Sequence, residues 1–191
     1  MLIRTHPYMT VLYSTREATL RDLPNWKPTE EASSDRTDVS GLPGFATFHP
    51  ANPRHHCGAV VKDLYQYVAD LDLLVCGPQY WFYHGVDGQP TAAGGRPQIM
   101  SEPKFTLDVA LPVQGKIPTA VLPFFKRLPA FRCLSSRYEG PWEGIGAEYQ
   151  RMLQYVSDNG LKLNGIYAES FLHIDLDDPA NQITEILLGL V

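Results

Sequence analysis

A glutamate stands in the middle of an apolar, aromatic segment near the carboxyl end of the chain. The segment is GIYAESFLHID, residues 165–175, in which Glu169 alternates with Tyr167 and Phe171. A strand points successive side chains to opposite faces, so these three share one face. A carboxylate among aromatic rings can hold a cationic or electron-poor planar ligand, or act as a general base. We therefore predict a ligand-binding Glu169, with three alternatives: catalysis, a strand-end residue that reaches solvent, or a plain salt bridge.

An internal repeat would place a second aromatic strand beside this one. Residues 64–87 align without a gap to 152–175 and share seven identities in 24 positions. The flanking segments extend the match in the same order: 6–19 resembles 128–141, and 105–113 resembles 183–191. In this alignment Trp81 corresponds to Glu169, and Tyr83 corresponds to Phe171. The repeat predicts two related halves, each with the order strand, helix, strand, strand.

The second half shows its elements most clearly. Pro141 suits the first turn of a helix, and Gly160 is placed to end that helix in the left-handed conformation. Between them, apolar residues recur at helical spacing on one stripe: Ile145, Tyr149, Met152, Leu153 and Val156. Strands are predicted at about 129–137 and 183–190. The first half has a shorter helix at about 59–70, with Val60, Val61, Leu64 and Val68 as its stripe.

These elements predict a single α+β domain over residues 1–191. It consists of duplicated strand-helix-strand-strand modules with an antiparallel sheet and a central ligand groove on a pseudo-two-fold axis. The ranges are repeat 1 at about 5–113, with insertions 26–58 and 85–103, connector 114–127, and repeat 2 at about 128–191.

The two middle strands are expected to build the groove with their aromatic faces. Trp81 and Tyr83 would come from one half, and Tyr167, Glu169 and Phe171 from the other. A mostly apolar cleft with a few polar groups is typical of a small-molecule site. The opposite faces are expected to pack on the helices: Pro78, Tyr80, Phe82 and His84 in the first half, and Ile166, Ala168, Ser170 and Leu172 in the second.

Composition narrows the class of protein. The formal net charge is −5 and no Lys/Arg-rich run occurs, which disfavours direct nucleic-acid binding because phosphate contacts need basic residues. No apolar stretch is long enough for a membrane span or a secretory signal. Three widely spaced cysteines favour free thiols in a reducing compartment. These features predict a cytoplasmic protein, and no pattern sets its oligomeric state.

The carboxyl-terminal 64 residues resemble the GyrI-like, or AraC-type effector-binding, domain family. The resemblance runs through Leu128-Pro-Ala, Gly140-Pro141 followed by Trp142, Gly160-Leu161, Glu169-x-Phe171, Asp178-Pro179 and Thr184-Glu185-Ile186. It implies a ligand groove and identifies Glu169 with the central pocket glutamate. Trp142 and Glu185 join the predicted ligand-binding residues, with a salt bridge at the sheet margin as the alternative for Glu185. The family's Glu-x-Tyr is Glu-x-Phe here, so one hydroxyl is missing.

The resemblance allows several functions. Members include drug-sensing domains of transcription regulators, proteins that protect DNA gyrase, and hydrolases that open strained cyclopropane toxins. We predict a protein that senses or sequesters hydrophobic, planar or cationic molecules without its own DNA-binding domain. The alternatives are a hydrolase with Glu169 as general base and Trp81 or Tyr167 orienting the substrate, and a partner of gyrase or a regulator, for which the acidic segment 29–38 is a candidate surface.

A metal or heme site is a further alternative. The segment FHPANPRHHC at 48–57 contains His49, His55, His56 and Cys57, which are ligand types without a standard zinc spacing. The prediction is no cofactor and no metal.

Overall fold

A computed structural model describes residues 1–18, 57–84, 105–175 and 177–191. Both insertions lie largely outside these ranges, as do the acidic segment 29–38 and the three histidines of the candidate metal segment. The described elements run in this order: β1 (Leu2–His6), β2 (Met9–Ala18), α1 (Cys57–Asp70), β3 (Leu74–Val75), β4 (Gln79–His84), β5 (Phe105–Gln114), β6 (Phe125–Leu128), β7 (Phe131–Glu139), α2 (Ile145–Asp158), β8 (Leu163–His173) and β9 (Ile183–Leu190). Short 3₁₀ turns occupy Thr119–Phe124, Trp142–Gly144 and Pro179–Asn181.

Both helices form where apolar periodicity predicted them. All five residues of the predicted α2 stripe are buried. Gly160 follows α2 at φ +60° and accommodates the predicted left-handed end. In α1 the predicted Val60, Leu64 and Val68 are buried, together with Tyr67. No helix in the described part of the chain is long and apolar enough to cross a membrane.

The strands form one antiparallel sheet in which the two halves meet at the centre. The strand order is β1-β7-β9-β8-β4-β5-β2-β6, and β3 pairs with β5. From the central β8/β4 pair outward, the strands are β8, β9 and β7 in the second half and β4, β5 and β2 in the first half. In each half these are the third, fourth and first elements of the predicted repeat. Trp81 pairs directly with Glu169 at this central junction. The α+β antiparallel fold is thus as predicted, while an origin of the halves by duplication stays a prediction.

The sheet curls until its two ends approach each other. β1 and β2 lie far apart in the strand order, yet only Pro7 and Tyr8 connect them. His6 Nε2 on β1 lies 3.2 Å from Tyr80 Oη on β4. In a flat sheet the four intervening steps would separate these strands by roughly 19 Å. The sheet is therefore rolled into a barrel-like shape with an inner and an outer face.

The helices pack on the outer face, which corrects the predicted orientation. The outer core contains Leu64 of α1 and Met152 of α2 together with Trp81 and Phe171. The face carrying Tyr80, Phe82 and Ala168 instead forms a separate inner core. The expectation that this second face packs on the helices is wrong. Rolling crowds the inner face, so small residues such as Ala168 fit there without any helix contact.

A buried ion-pair network ties four strands together on the inner face. Asp108 of β5 accepts hydrogen bonds from Lys126 Nζ at 2.5 Å and His84 Nε2 at 2.8 Å, and from the Thr15 hydroxyl. Lys126 Nζ also lies 4.2 Å from the centre of the Tyr13 ring. Burial alone would raise the pKa of Asp108, but these donors outweigh it and lower the pKa to about 2. The network fixes the end of β4 relative to β2, β5 and β6.

Candidate functional site

Glu169 lies on the outer face where the two halves join. β8 carries it at the centre of the sheet, and only 1% of the residue is exposed. Strand alternation puts Tyr167 and Phe171 on the same face, and cross-strand pairing brings Trp81 and Tyr83 beside them from β4. α2 covers this region. The carboxylate is thus enclosed by side chains of β4, β8 and α2.

Two tyrosine hydroxyls hold the carboxylate. Tyr83 Oη donates to Glu169 Oε2 at 2.9 Å, and Tyr149 Oη donates to Glu169 Oε1 at 3.0 Å. A buried carboxylate is costly unless hydrogen bonds or charges stabilise it, and hydrogen bonds to an ionised group are about twice as strong as neutral ones. The tyrosines come from different halves of the chain, so the carboxylate position is fixed by both β4 and α2.

Aromatic rings form a continuous wall beside Glu169. The Phe171 ring makes edge contacts with Trp81, at a centroid distance of 5.0 Å, and with Trp142, at 5.5 Å. Trp142 lies in the 3₁₀ turn before α2, and its Nε1 donates to Thr184 Oγ1 at 3.1 Å. This hydrogen bond orients the Trp142 ring. Aromatic rings supply flat apolar surface and negative ring faces where a binding site uses them.

The structure brings six of the seven predicted site residues into this region of the outer face: Trp81, Tyr83, Trp142, Tyr167, Glu169 and Phe171. Glu185 lies on the inner face, paired with Ser170 across β8 and β9. Its Oε1 accepts a hydrogen bond from Arg4 Nη2 at 2.6 Å, which is the salt bridge that sequence analysis held as the alternative. That any of these residues binds a ligand stays a prediction.

Tyr149 is the site residue that sequence analysis did not single out. It appeared only as a member of the apolar α2 stripe, whose other residues are aliphatic or Met. The available signal was its hydroxyl, because a tyrosine buried on such a stripe normally needs a hydrogen-bond partner. Its partner lies 20 residues further along the chain, and that pairing depends on how α2 crosses the sheet.

The described residues contain no group of three or more His, Cys, Asp and Glu side chains placed to hold a metal ion. Of the candidate segment 48–57, the described part is Cys57 alone, the first residue of α1.

No protein-family model matches the sequence, and no curated protein is similar to it in sequence. Solved structures are similar in fold. The C-terminal domain of EcmrR is 17% identical with a TM-score of 0.60, and the match covers 100% of this chain and 96% of that domain. In the EcmrR–DNA complex the match spans 56% of the EcmrR chain, with a TM-score of 0.59.

Two further structures are similar over the whole chain. SAV2435 bound to tetraphenylphosphonium is 12% identical with a TM-score of 0.53, covering 100% of this chain and 93% of that one. A hydrolase encoded by lin2189 from Listeria innocua is 13% identical with a TM-score of 0.56, covering 100% and 91%. The protein therefore shares the fold of these structures.

Proposed function

We propose that this protein binds hydrophobic aromatic cations on the outer face, with Glu169 as the counter-charge, and so senses or sequesters such molecules. The observation that carries the proposal is a buried carboxylate held by Tyr83 and Tyr149 beside a wall of aromatic rings. The same fold in SAV2435, bound to tetraphenylphosphonium, supports a ligand of this kind.

The physical chemistry of the site favours a cation of low hydration. Burial strips water from Glu169, so an ion that itself loses little hydration energy recovers the electrostatic attraction at least cost. A well-placed ring adds roughly 0.5–2 kcal/mol of cation–π attraction. Trp81, Trp142 and Phe171 supply the rings. A metal ion or a primary ammonium group gains less, because each loses strongly bound water.

Entry of a ligand requires the rings to move. Trp81 and Phe171 are each 6% exposed and Glu169 is 1% exposed, so a molecule cannot reach the carboxylate while these side chains keep their positions. We infer that binding opens the contact between α2 and the β4/β8 junction. Trp81 and Trp142 are then expected to change their fluorescence when a ligand binds.

The test compares two ions of nearly equal size and shape but opposite charge. Isothermal titration calorimetry would measure the Kd of tetraphenylphosphonium and tetraphenylborate for the wild type, Glu169→Gln and Glu139→Gln. Glu139 is an exposed carboxylate paired with Arg137, so Glu139→Gln removes one negative charge from the exposed surface instead of the buried site. We expect the wild type and Glu139→Gln to prefer the cation strongly, and Glu169→Gln to lose at least tenfold in cation affinity. Equal affinities of wild type and Glu169→Gln for the cation would refute the proposal.

A hydrolase is the second candidate, because two tyrosine hydroxyls fix the Glu169 carboxylate in a position where it could accept a proton. Tyr83 and Tyr149 supply hydroxyls to Glu169 in place of the one that Phe171 lacks. In this reaction Glu169 takes a proton from water while the water oxygen attacks a cyclopropane carbon. The breaking C–C bond sends its electrons to a conjugated carbonyl, which is then protonated.

This candidate is tested by incubating a cyclopropane-fused dienone with the wild type and Glu169→Gln, followed by mass spectrometry. Hydrolysis would add 18 mass units in the wild type alone. If both proteins give the background rate, the chemistry is absent, and the binding experiment remains informative by itself.

A further inference from the structure

The indole N–H of Trp81 is a buried donor on the same surface as Glu169. Trp81 is 6% exposed, and its Nε1 meets no hydrogen-bond acceptor within the described ranges. Trp142, the neighbouring indole across Phe171, differs in this respect because its Nε1 donates to Thr184. Leaving a buried donor unsatisfied costs free energy, and such groups are rare in folded proteins.

The position of Trp81 links this donor to the ligand site. Trp81 is directly opposite Glu169 across β4 and β8, which places their Cβ atoms about 5 Å apart. The indole contacts the Phe171 ring edge-on, with 64° between the ring planes. An aromatic ring is at most a weak acceptor for an N–H group. A molecule bound to the carboxylate would therefore lie within reach of the indole donor.

We propose that the ligand is an aromatic cation carrying a hydrogen-bond acceptor, such as a carbonyl oxygen or a ring nitrogen, which accepts from Trp81 Nε1. This inference rests on the proposed cation site and narrows its ligand class. The positive part of the ligand faces Glu169 and its acceptor faces Trp81, so the two opposed residues of the central strand pair recognise two chemical features of one molecule. Trp81 is then a specificity-determining residue as well as a wall of the site.

The experiment uses two cations that differ by one acceptor: tetraphenylphosphonium and (4-acetylphenyl)triphenylphosphonium. Calorimetry would give both Kd values for the wild type, Trp81→Phe and Trp142→Phe. For the wild type we expect the acetyl compound to bind about fivefold to tenfold more tightly, the ratio given by one added neutral hydrogen bond. Trp81→Phe should bring that ratio to about one. Trp142→Phe should weaken both compounds equally and keep the ratio, because its N–H is already used.

The outcomes separate this inference from the proposed function. Binding of both cations with no acetyl preference in the wild type, or with a preference that survives Trp81→Phe, overturns the acceptor inference and leaves the cation site standing. Binding of neither cation overturns both.

A measurement on the wild type keeps the test decisive if Trp81→Phe does not fold. The sequence has three tryptophans, so Trp26→Phe and Trp142→Phe assign the Trp81 indole resonance in ¹⁵N-labelled protein by elimination. The acetyl compound should move the Trp81 indole proton downfield relative to tetraphenylphosphonium. Identical positions with both ligands would overturn the inference.

Discussion

The buried Asp108 network permits a quantitative prediction of stability against pH. Its donors lower the pKa of Asp108 from 3.8 to about 2. At 1.36 kcal/mol for each pKa unit, this lowering of the pKa corresponds to about 2 kcal/mol of folding stability at neutral pH. Because the folded pKa is depressed, that stability is fully present well above pH 3.8 and is lost as the pH falls from about 4 toward 2.

Asp108→Asn removes this contribution. We expect the variant to lose about 2–3 kcal/mol at pH 7, since Asn keeps the volume but cannot form the ion pair with Lys126. Urea unfolding followed by circular dichroism at pH 7, 5, 4 and 3 measures the difference between wild type and variant. That difference should shrink as the pH drops below 4.

Glu139→Gln provides the matched control. Its ion pair with Arg137 is exposed, so its loss should cost under about 1 kcal/mol. A loss below about 0.5 kcal/mol for Asp108→Asn at pH 7, or a difference that stays constant from pH 7 to pH 3, would show that the inner-face network does not stabilise the fold as argued.

Three other predictions follow from single contacts. Tyr83→Phe and Tyr149→Phe should each lower the free energy of unfolding by about 1.5–3 kcal/mol in urea, because a buried carboxylate loses one donor; unchanged stability in both would argue against these hydrogen bonds stabilising the fold. Burial lowers the pKa of His6 below 6.5, so the unfolded chain binds a proton that the native state does not. Stability should therefore fall as the pH drops through 6.5 toward 5, and a His6→Phe variant that keeps the wild-type slope would contradict this origin. Cys76 is exposed, whereas Cys133 is buried and burial raises its pKa; in a Cys57→Ser background, Cys76→Ser should abolish a fast reaction with a disulfide reagent in native protein, and Cys133→Ser should leave it intact.

The elements that could be predicted are those whose sequence pattern lies within the element itself. The apolar residues of α2 recur with the helical period over three turns, and Gly160 supplies a left-handed residue at its end. The closing strand is observed at Ile183–Leu190, the predicted range. Each of these features depends on residues close in sequence, so the pattern and the structure had to agree.

The orientation of the sheet could not be obtained in this way. β4 and β8 carry apolar residues on both faces, because one face lines the rolled interior and the other lies under the helices. Alternation separates the two sets of residues, but it does not say which set meets a helix. The small residues Ala168 and Ser170 suggested a helix contact, whereas the actual constraint is crowding inside the barrel. The short connections β1–β2 and β6–β7 each join strands near opposite ends of the strand order. The rolling therefore depends on pairings between strands that are distant in sequence.

The central strand pair explains why the site is asymmetric in a molecule whose halves share one element order. The register pairs Trp81 with Glu169, Tyr83 with Tyr167 and Gln79 with Phe171, so positions that correspond in the sequence alignment lie across one local two-fold axis. If position 81 also carried a glutamate, two buried carboxylates would lie about 5 Å apart, and their repulsion would prevent both from ionising. One carboxylate facing one indole avoids that conflict. Because Trp81 stands opposite Glu169, a negative group lies on one side of the axis and a hydrogen-bond donor on the other. Two identical residues could not offer both features to a single ligand.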